Sequence, residues 1–319
     1  MTPPRISVVF AADNILALAL GVAIASVLTN RKPDTSLDIH VLSCGISTSN
    51  RQKIASQFEA GDADALHWHE ITGADMKLLQ DLFTASNRPY PPAAYARLLA
   101  GKLLHGVDRA IYLDTDVIVA TDLTPLWETP FDGATLLAIR DLPDSNDHVP
   151  RLKALLSPED VERFGLDQEA HYFQSGVLVF DLDAFRRSGF DELIDCLRRY
   201  PDLTFPDNDA LNIVFRQRTK LVDPRWNQMA SVFWYGSAAE SPYDAQLFEE
   251  LVHRPYIIHY SGRPKPWEDG CSHPLSGKWD EAFEVSAWRD WRPTRMSMVS
   301  DRLQRARRKI TKKLRRLLP

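Results

Sequence analysis

The sequence is short of cysteine and of long hydrophobic runs. Three cysteines are spread over 319 residues and none forms a CxxC pair, which excludes a disulfide-rich scaffold and argues against a zinc ribbon. An apolar stretch over residues 15–28 is shorter than the roughly 20 residues that a membrane-spanning helix needs. We therefore predict that this stretch is a buried helix and that the protein is cytoplasmic. With 44% hydrophobic and 25% charged residues, the composition is that of a folded globular protein.

Positive charge is scarce in most of the chain and concentrated at its C-terminus. The chain carries 38 Lys or Arg against 43 Asp or Glu. Nine of the basic residues and none of the acidic ones lie in residues 302–319, so residues 1–301 hold 29 basic against 43 acidic groups, a net charge of −14. An acidic body repels a polyanion, so no nucleic-acid partner is expected.

The basic C-terminal segment has helical periodicity. Its apolar side chains recur at spacings of three and four residues, at Leu303, Ala306, Ile310, Leu314 and Leu317. Basic residues fill the other faces, which is typical of a helix that lies on an anionic membrane surface. Trp288 and Trp291, just upstream, are candidate interfacial anchors. We predict peripheral attachment to the inner face of the cell membrane, with a solvated chain end that has no partner as the alternative.

Segments rich in β-branched residues alternate with helical patterns along the chain. The predicted strands cover residues 6–12, 37–43, 65–71, 109–113, 135–139, 177–182 and 256–260. The predicted helices cover residues 15–30, 50–60 (with Asn50 as its cap), 74–83, 93–104, 183–200 and 207–216. This alternation predicts the α/β class, with a mostly parallel sheet and helices on both of its faces.

Polar side chains follow three of the predicted strands. Asp13 and Asn14 follow the first, Asp114 and Asp116 the strand at 109–113, and Asp141 the next one. Ligands of open α/β sheets bind outside the carboxyl ends of the strands. Residues i and i+2 of an extended segment point the same way, so Asp114 and Asp116 are expected to place two carboxylates side by side. Such a pair favours a divalent cation between its members, although a solvated turn would have the same sequence.

Five segments together resemble one family. They are residues 10–14 (FAADN), 111–118 (IYLDTDVI), 173–180 (FQSGVLVF), 207–212 (DNDALN) and 259–267 (HYSGRPKPW). Their order and spacing resemble glycosyltransferase family 8, which includes bacterial lipooligosaccharide galactosyltransferases. The resemblance covers roughly residues 6–270 and implies a Rossmann-like GT-A fold. It implies a catalytic domain over residues 1–270. The segment that follows, residues 271–319, is the aromatic and basic segment whose pattern predicts membrane association.

The resemblance implies a metal site. Asp114 and Asp116 match the family's metal-binding DxD motif, and His259 matches its third protein ligand. The implied ion is Mn²⁺, with Mg²⁺ as the second choice, since carboxylate and imidazole ligands with open positions for phosphate oxygens suit an octahedral ion. Lys265 is expected to place a positive charge on the phosphates, and Gly262 to let backbone approach them.

The resemblance also implies a donor site. Asp13, with Asn14 beside it, matches the contact to the uracil end of a UDP-sugar, and Arg97 matches the contact to the donor sugar and phosphate. Asp141 and Asp207 match acceptors of sugar-hydroxyl hydrogen bonds.

Four positions depart from the family's usual residues. Ile15 and Leu16 stand where Asn and a uracil-stacking aromatic ring are common, so the base must be held differently. Gln174 replaces an Asn and would reach one methylene further toward the sugar. Asn208 stands where a close family member has Gln on the β-face of the donor sugar. We assign Asn208 and its neighbour Asp207 the catalytic role and favour front-face attack on the sugar, with double displacement through a covalent intermediate as the alternative.

The resulting hypothesis is a retaining, metal-dependent hexosyltransferase. It would move a hexose, galactose before glucose, from UDP to a saccharide or glycolipid acceptor in lipopolysaccharide or other cell-surface glycan synthesis. A nucleotidyltransferase is one alternative, but residues 13–20 lack the glycine-rich basic loop that it would need. A non-enzymatic, membrane-associated binding protein on the same fold is the other, and metal-dependent donor hydrolysis would exclude it.

Overall fold

The computed structural model describes residues 5–58, 64–88, 90–141, 148–166 and 171–292. The strands are β1 Arg5–Asp13, β2 Ser36–Cys44, β3 Ala65–Glu70, β4 Arg109–Leu113, β5 Val117–Val119, β6 Leu136–Arg140, β7 Phe173–Asp181, β8 Thr219–Leu221, β9 Gln228–Met229 and β10 Ile257–His259. The helices are α1 Ala17–Asn30, α2 Thr48–Ala55, α3 Gly73–Ala85, α4 Pro92–Tyr95, α5 Ala100–Leu103, α6 Thr124–Glu128, α7 His148–Leu155, α8 Pro158–Arg163, α9 Leu182–Ser188, α10 Phe190–Arg199, α11 Pro206–Phe215, α12 Ala245–His253 and α13 Ser276–Val285.

Seven strands form the central sheet in the order β3-β2-β1-β4-β7-β6-β8. Parallel pairs join β3 to β2, β2 to β1, β1 to β4 and β6 to β8, whereas β7 runs antiparallel to both β4 and β6. The mostly parallel α/β sheet predicted from the sequence is confirmed. The strand order reverses at β1 and β4, and such a reversal opens a ligand crevice beyond the carboxyl ends of the strands. Asp13 ends β1 and Asp114 directly follows β4 at this crevice.

A second sheet, which the sequence did not predict, lies beside the crevice. It has the order β5-β10-β9, with β10 antiparallel to β5 and parallel to β9. His259 at the end of β10 is in register with Val117, and the backbone N–H of Tyr260 donates to the carbonyl of Asp116 at 3.0 Å. This pairing brings Asp116 and His259, which are 143 positions apart in the chain, to one edge of the crevice.

Helix α1 is the predicted apolar helix, and it is buried in the core between β1, β5 and α13. Its Gly21 permits close approach, because an added Cβ would lie 2.1 Å from the ring of Trp288. Trp288 is only 4% exposed, so the expectation that this side chain anchors the protein in a membrane interface is wrong. Trp291 packs against the same core, and the periodic basic segment from residue 300 lies outside the described residues.

Three predicted helices differ from the observed ones. The helix at 50–60 begins at Thr48 and is capped by the side chain of Ser47, because the Ser47 hydroxyl accepts from the N–H of Asn50. The helix at 93–104 is interrupted by a 3₁₀ turn over Ala96–Leu99. The helix at 183–200 is divided at Gly189, where an added Cβ would lie 2.1 Å from the ring of Phe215. In the part of the chain that the structure describes, every helix is too short or too polar to cross a bilayer.

Candidate active site

A pocket of about 410 Å³ opens where β4 ends and the antiparallel strand β7 begins. Predicted site residues line its floor and walls: Arg97, Asp114, Asp141, Gln174, Asp207, Asn208 and Gly262. Trp234 stands at the same pocket with 71% of its surface exposed. The pocket therefore brings together residues from four of the five sequence segments that resemble the family, together with Arg97 and Asp141.

Two carboxylates and one imidazole converge at one end of this pocket. One ligand atom each from Asp114, Asp116 and His259 can be chosen so that all three lie within 4.8 Å of one another. The N–H of Asp114 donates to the carbonyl of Gly176 at 2.8 Å, which fixes the turn that carries both carboxylates. Two oxygen ligands and one nitrogen ligand at this spacing form a group that fits a divalent cation.

The backbone of β7 passes directly behind this group at Gly176. An added Cβ there would lie 2.4 Å from Cε1 of His259 and 2.8 Å from Oδ2 of Asp114. Any side chain would push the ligands apart, so glycine is required at this position. This packing explains why the Ser-Gly-Val segment of β7 has glycine at its centre, a reason that the sequence alone did not give.

Asp116 is held as an anion. Its Oδ1 lies 3.3 Å from Nε2 of His259, and Lys265 donates from Nζ to its Oδ2. Burial tends to raise the pKa of the Asp116 carboxyl, but the charges of His259 and Lys265 outweigh burial and hold that pKa below its usual range. Lys265 also donates to the carbonyl of Tyr260 at 2.7 Å, and its predicted contact with the phosphates stays a prediction.

Arg97 is buried between the two ends of the pocket. Its guanidinium donates to Oδ1 of Asp114 at 2.7 Å and to the carbonyl of Ser175 at 2.7 Å, and its Nε lies 3.2 Å from Oδ2 of Asp207. Burial raises the pKa of the Asp207 carboxyl although the Arg97 charge opposes it. Arg97 thus sets the spacing of Asp114 and Asp207, while its predicted contact with donor sugar and phosphate stays a prediction.

Asn208 is locked onto β7 by its amide. Its Oδ1 accepts from the N–H of Ser175 at 2.6 Å, and its Nδ2 donates to the hydroxyl of Tyr172 at 2.6 Å. The hydroxyl of Tyr172 in turn donates to Oδ1 of Asp209 at 2.5 Å. Asp209 is fully buried and also accepts two hydrogen bonds from Arg151, at 2.7 and 2.9 Å. Tyr172 and Arg151 were not among the predicted site residues, since Tyr172 directly precedes the segment at 173–180 and Arg151 lies in α7, which carries no motif.

The residues predicted to hold the uracil end have local structural roles. Oδ1 of Asp13 accepts from the N–H groups of Ile15 and Leu16 at 2.9 and 3.1 Å and turns the chain into α1. Oδ1 of Asn14 accepts from the N–H of Ser47 at 2.9 Å and so ties β1 to the start of α2. Neither residue lines the pocket of Asp114 and Asp207, and their contact with a base stays a prediction.

The remaining predicted residues lie at the pocket wall. Asp141 donates from its backbone N–H to the carbonyl of Tyr172 at 2.9 Å, and its carboxylate lies 3.8 Å from Nε2 of His148. Gly262 has a φ of +89°, a conformation that favours glycine, in the loop that carries Lys265. The side chain of Gln174 points to Asn227, which no sequence motif singled out.

Comparisons with known proteins agree with this geometry. The sequence profile of glycosyl transferase family 8 matches residues 7–271. The galactosyltransferase LgtC, solved in complex with donor and acceptor sugar analogues, is 27% identical and superposes with a TM-score of 0.70 over 89% of this chain and 99% of LgtC. General stress protein A of Bacillus subtilis is 24% identical over 89% of this chain and 94% of its own length. Lipopolysaccharide 1,2-glucosyltransferase of Escherichia coli K12 is 24% identical over 92% of this chain and 81% of its own length. With its GT-A architecture, this chain belongs to glycosyltransferase family 8.

Proposed function

We propose that the protein is a retaining, Mn²⁺-dependent hexosyltransferase that uses a UDP-sugar as donor. The observation that carries this proposal is the group of Asp114, Asp116 and His259, of which Asp114 lines the same pocket as Asp207 and Asn208. One end of that pocket suits a cation with its diphosphate, and the other offers carboxylate and amide groups to sugar hydroxyls.

Asp114, Asp116 and His259 would hold the metal ion. Gly176 supports the fit, because the space that its missing side chain leaves is occupied by two of these ligands, His259 and Asp114. When bound, a divalent cation supplies Lewis-acid stabilisation of the charge that develops on the leaving diphosphate. Lys265 contributes a second positive charge, since its Nζ lies on Asp116 and can donate to a phosphate oxygen at that place.

The sugar is expected to be held at the other end of the pocket. The Asp207 carboxylate can accept two hydroxyl hydrogen bonds, and Arg97 fixes its position. The bond between C1 and the phosphate oxygen breaks with its electron pair going to UDP, and the acceptor hydroxyl oxygen forms the new bond to C1. The proton of that hydroxyl passes to the departing phosphate oxygen, which is a front-face path that retains the anomeric configuration.

Asn208 favours this path over double displacement. An amide is a poor nucleophile, and both ends of this amide already bond to protein groups at 2.6 Å. The fixed carbonyl dipole of Asn208 is instead suited to stabilise positive charge on the β-face of the sugar.

The donor sugar and the acceptor are the finer part of the proposal. Galactose is proposed before glucose because LgtC, a galactosyltransferase, matches almost its full length at 27% identity. A relative that is a lipopolysaccharide 1,2-glucosyltransferase supports a lipopolysaccharide or similar cell-surface saccharide as acceptor. Trp234, exposed at the pocket, offers an aromatic face on which an acceptor sugar can stack.

A panel of UDP-sugars with Mn²⁺ tests the proposal. We expect release of UDP from UDP-galactose, more slowly from UDP-glucose, with no release in the Asp116→Asn variant. A nucleotidyltransferase would instead release pyrophosphate from a nucleoside triphosphate, and a binding protein would release nothing. Either of these results, obtained with folded protein, would contradict the proposed function.

We also propose that residues 300–319 attach the protein to the inner, cytoplasmic face of the cell membrane. The support is the alternation of apolar and basic side chains in the sequence, where each Lys or Arg near an anionic surface contributes about 1 kcal/mol. Removal of residues 300–319 is expected to abolish co-sedimentation with anionic vesicles while hydrolysis of the donor continues. Equal co-sedimentation of both proteins at low salt would contradict the attachment.

A further inference from the structure

Two amide side chains connect β7 to the imidazole of the metal-binding group. Oε1 of Gln174 accepts from the N–H of Gly176 and, at 2.9 Å, from Nδ2 of Asn227. Oδ1 of Asn227 lies 2.9 Å from Nδ1 of His259. Asn227 is 2% exposed and ends a 3₁₀ turn beside β10, so this connection is internal to the protein.

The direction of every hydrogen bond in this connection follows from one backbone group. The N–H of Gly176 is only a donor, so the atom of Gln174 that faces it must be the amide oxygen. That oxygen can only accept, so Asn227 must turn its NH₂ group toward it. The oxygen of Asn227 is then left for His259, and the proton of the imidazole must be on Nδ1.

The consequence concerns the other nitrogen of the ring. Because Asn227 holds the proton on Nδ1, the nitrogen left for a metal ion is Nε2, the atom that lies 3.3 Å from Asp116. A histidine binds a metal ion through the nitrogen without a proton, and the partner of the opposite nitrogen fixes both tautomer and ring orientation. The amide connection thus prepares His259 as a ligand before any cation binds.

Gln174 is the residue that departs from the family's usual Asn, and the structure explains what its length does. Its amide oxygen accepts from Gly176 and Asn227. The prediction that this side chain extends toward the sugar is therefore wrong for its amide oxygen. An Asn side chain ends one carbon–carbon bond earlier, about 1.5 Å, and would lose the contact with Asn227. The extra methylene therefore completes the connection to His259.

On this basis, and resting on the proposed metal-dependent function, we infer that Gln174 and Asn227 are positioning residues that orient His259 for a divalent cation. Neither residue contacts the cation. Loss of such a partner of a metal ligand weakens metal binding by about 10- to 100-fold.

The affinity for Mn²⁺, measured from the electron paramagnetic resonance signal of the free ion in the presence of UDP, tests this inference. We expect Asn227→Ala and Gln174→Leu to raise the Kd for Mn²⁺ by about 10- to 100-fold. At saturating Mn²⁺, the kcat of Asn227→Ala, whose side chain does not line the pocket, is expected to recover to within about threefold of wild type. Gln174→Glu keeps an acceptor for both donors, so its Kd for Mn²⁺ is expected to stay within threefold of wild type or fall below it.

Asn212→Ala is the matched control for loss of a buried amide. Asn212 is 1% exposed and bonds to the backbone of Phe173, away from the metal ligands. Its variant is expected to lose stability as Asn227→Ala does, with an unchanged Kd for Mn²⁺. An unchanged Kd in Asn227→Ala, with tight binding by wild type, would overturn the positioning role and leave the proposed function intact. If wild-type protein bound no Mn²⁺ at all, the metal assignment itself would fall.

Discussion

The two ends of the pocket are held together in opposite ways. The metal end consists of Asp114, Asp116, His259 and Lys265, which reach it from the turn after β4, from β10 and from the loop beyond β10. Its stability depends on opposite charges: the Lys265 ammonium and the imidazole compensate Asp116. A divalent cation can take over that compensation, because the same oxygens serve either partner.

The sugar end consists of Asp207, Asn208 and Asp209, consecutive residues in the first turn of α11. Here the polar atoms are paired with protein groups: Asn208 with Ser175 and Tyr172, and the fully buried Asp209 with Tyr172 and Arg151. Such a network holds its members in one geometry and has little to gain from a cation.

Because of this difference, we expect the two ends to control different steps of the reaction. A metal end held by exchangeable charges is expected to control binding of the cation and the diphosphate. A sugar end held by fixed hydrogen bonds is expected to control the rate of the chemical step, since preorganised dipoles stabilise the transition state without rearrangement. Variants at the two ends should therefore differ in which constant they change.

The largest effect is expected for Asp116→Asn at the metal end. The change removes an anionic ligand and the partner of both Lys265 and His259. We expect kcat/KM to fall by about 10³-fold or more and binding of Mn²⁺ to be lost, as measured by UDP release and by titration with the ion. The exposed Asp132→Asn, far from the pocket, is the control. Full activity of Asp116→Asn in the presence of excess chelator would show that the reaction does not need a metal ion bound at this end of the pocket.

A smaller effect on a different constant is expected for Asn208→Ala at the sugar end. Because the amide is fixed by Ser175 and Tyr172, its loss removes an oriented dipole, and kcat is expected to fall by about 10²-fold. Affinities for Mn²⁺ and UDP, measured by calorimetry, are expected to stay at wild-type values. Weaker UDP binding with unchanged kcat in Asn208→Ala would contradict this assignment, because it would show that the sugar end controls binding and not the chemical step.

Lys265→Met is expected to change two constants in opposite directions. Since the ammonium competes with a cation for Asp116, its removal is expected to strengthen Mn²⁺ binding roughly fivefold. The same change removes a donor to the leaving phosphate, so kcat/KM is expected to fall about 10-fold. Lys220→Met, which alters an exposed pair with Asp132, is expected to change neither constant. Weaker Mn²⁺ binding in Lys265→Met would show that the lysine supports the cation site.

The features that the sequence predicted are those with local signals. β1, α1 and the Asp-Thr-Asp turn each depend on a short run of residues, and the structure contains all three. Asn227 had no such signal: it ends a 3₁₀ turn without a motif, and only the pairing of β9 with β10 brings it to His259. Gly189 likewise divides a helix at a place where the ring of Phe215, a residue 26 positions later, occupies the space of a Cβ. Contacts of this kind depend on tertiary packing, which periodicity does not reveal.

A group of histidines on β2 and β3 lies apart from both ends of the pocket. Nδ1 of His40 lies 3.0 Å from Nε2 of His69, and the ring of His40 stacks on that of His67 at 4.7 Å. Nε2 of His67 in turn lies 3.1 Å from Oδ1 of Asp38. Burial, together with repulsion from His67 and His69, lowers the pKa of His40 to about 4. This group can make the stability of the fold depend on pH without any change in the pocket.

The smallest effect is expected for substitution of His40, which should change how the free energy of unfolding depends on pH. This prediction distinguishes unfolding at low pH from loss of catalytic activity. The pKa of His40 is lower in the folded protein than the ordinary value of about 6.5, so between pH 6.5 and 4 the unfolded chain binds more protons. Its contribution to stability is therefore complete above pH 6.5 and decreases as the pH falls, by about 2 kcal/mol. Urea unfolding at pH 7 and pH 5 is expected to give a smaller pH-dependent loss for His40→Phe than for wild type, whereas the exposed His253→Gln behaves as wild type. Because His40 lies outside the pocket, kcat at pH 7 should be the same in all three proteins. An identical loss of stability in wild type and His40→Phe would mean that the acid sensitivity of the fold arises elsewhere.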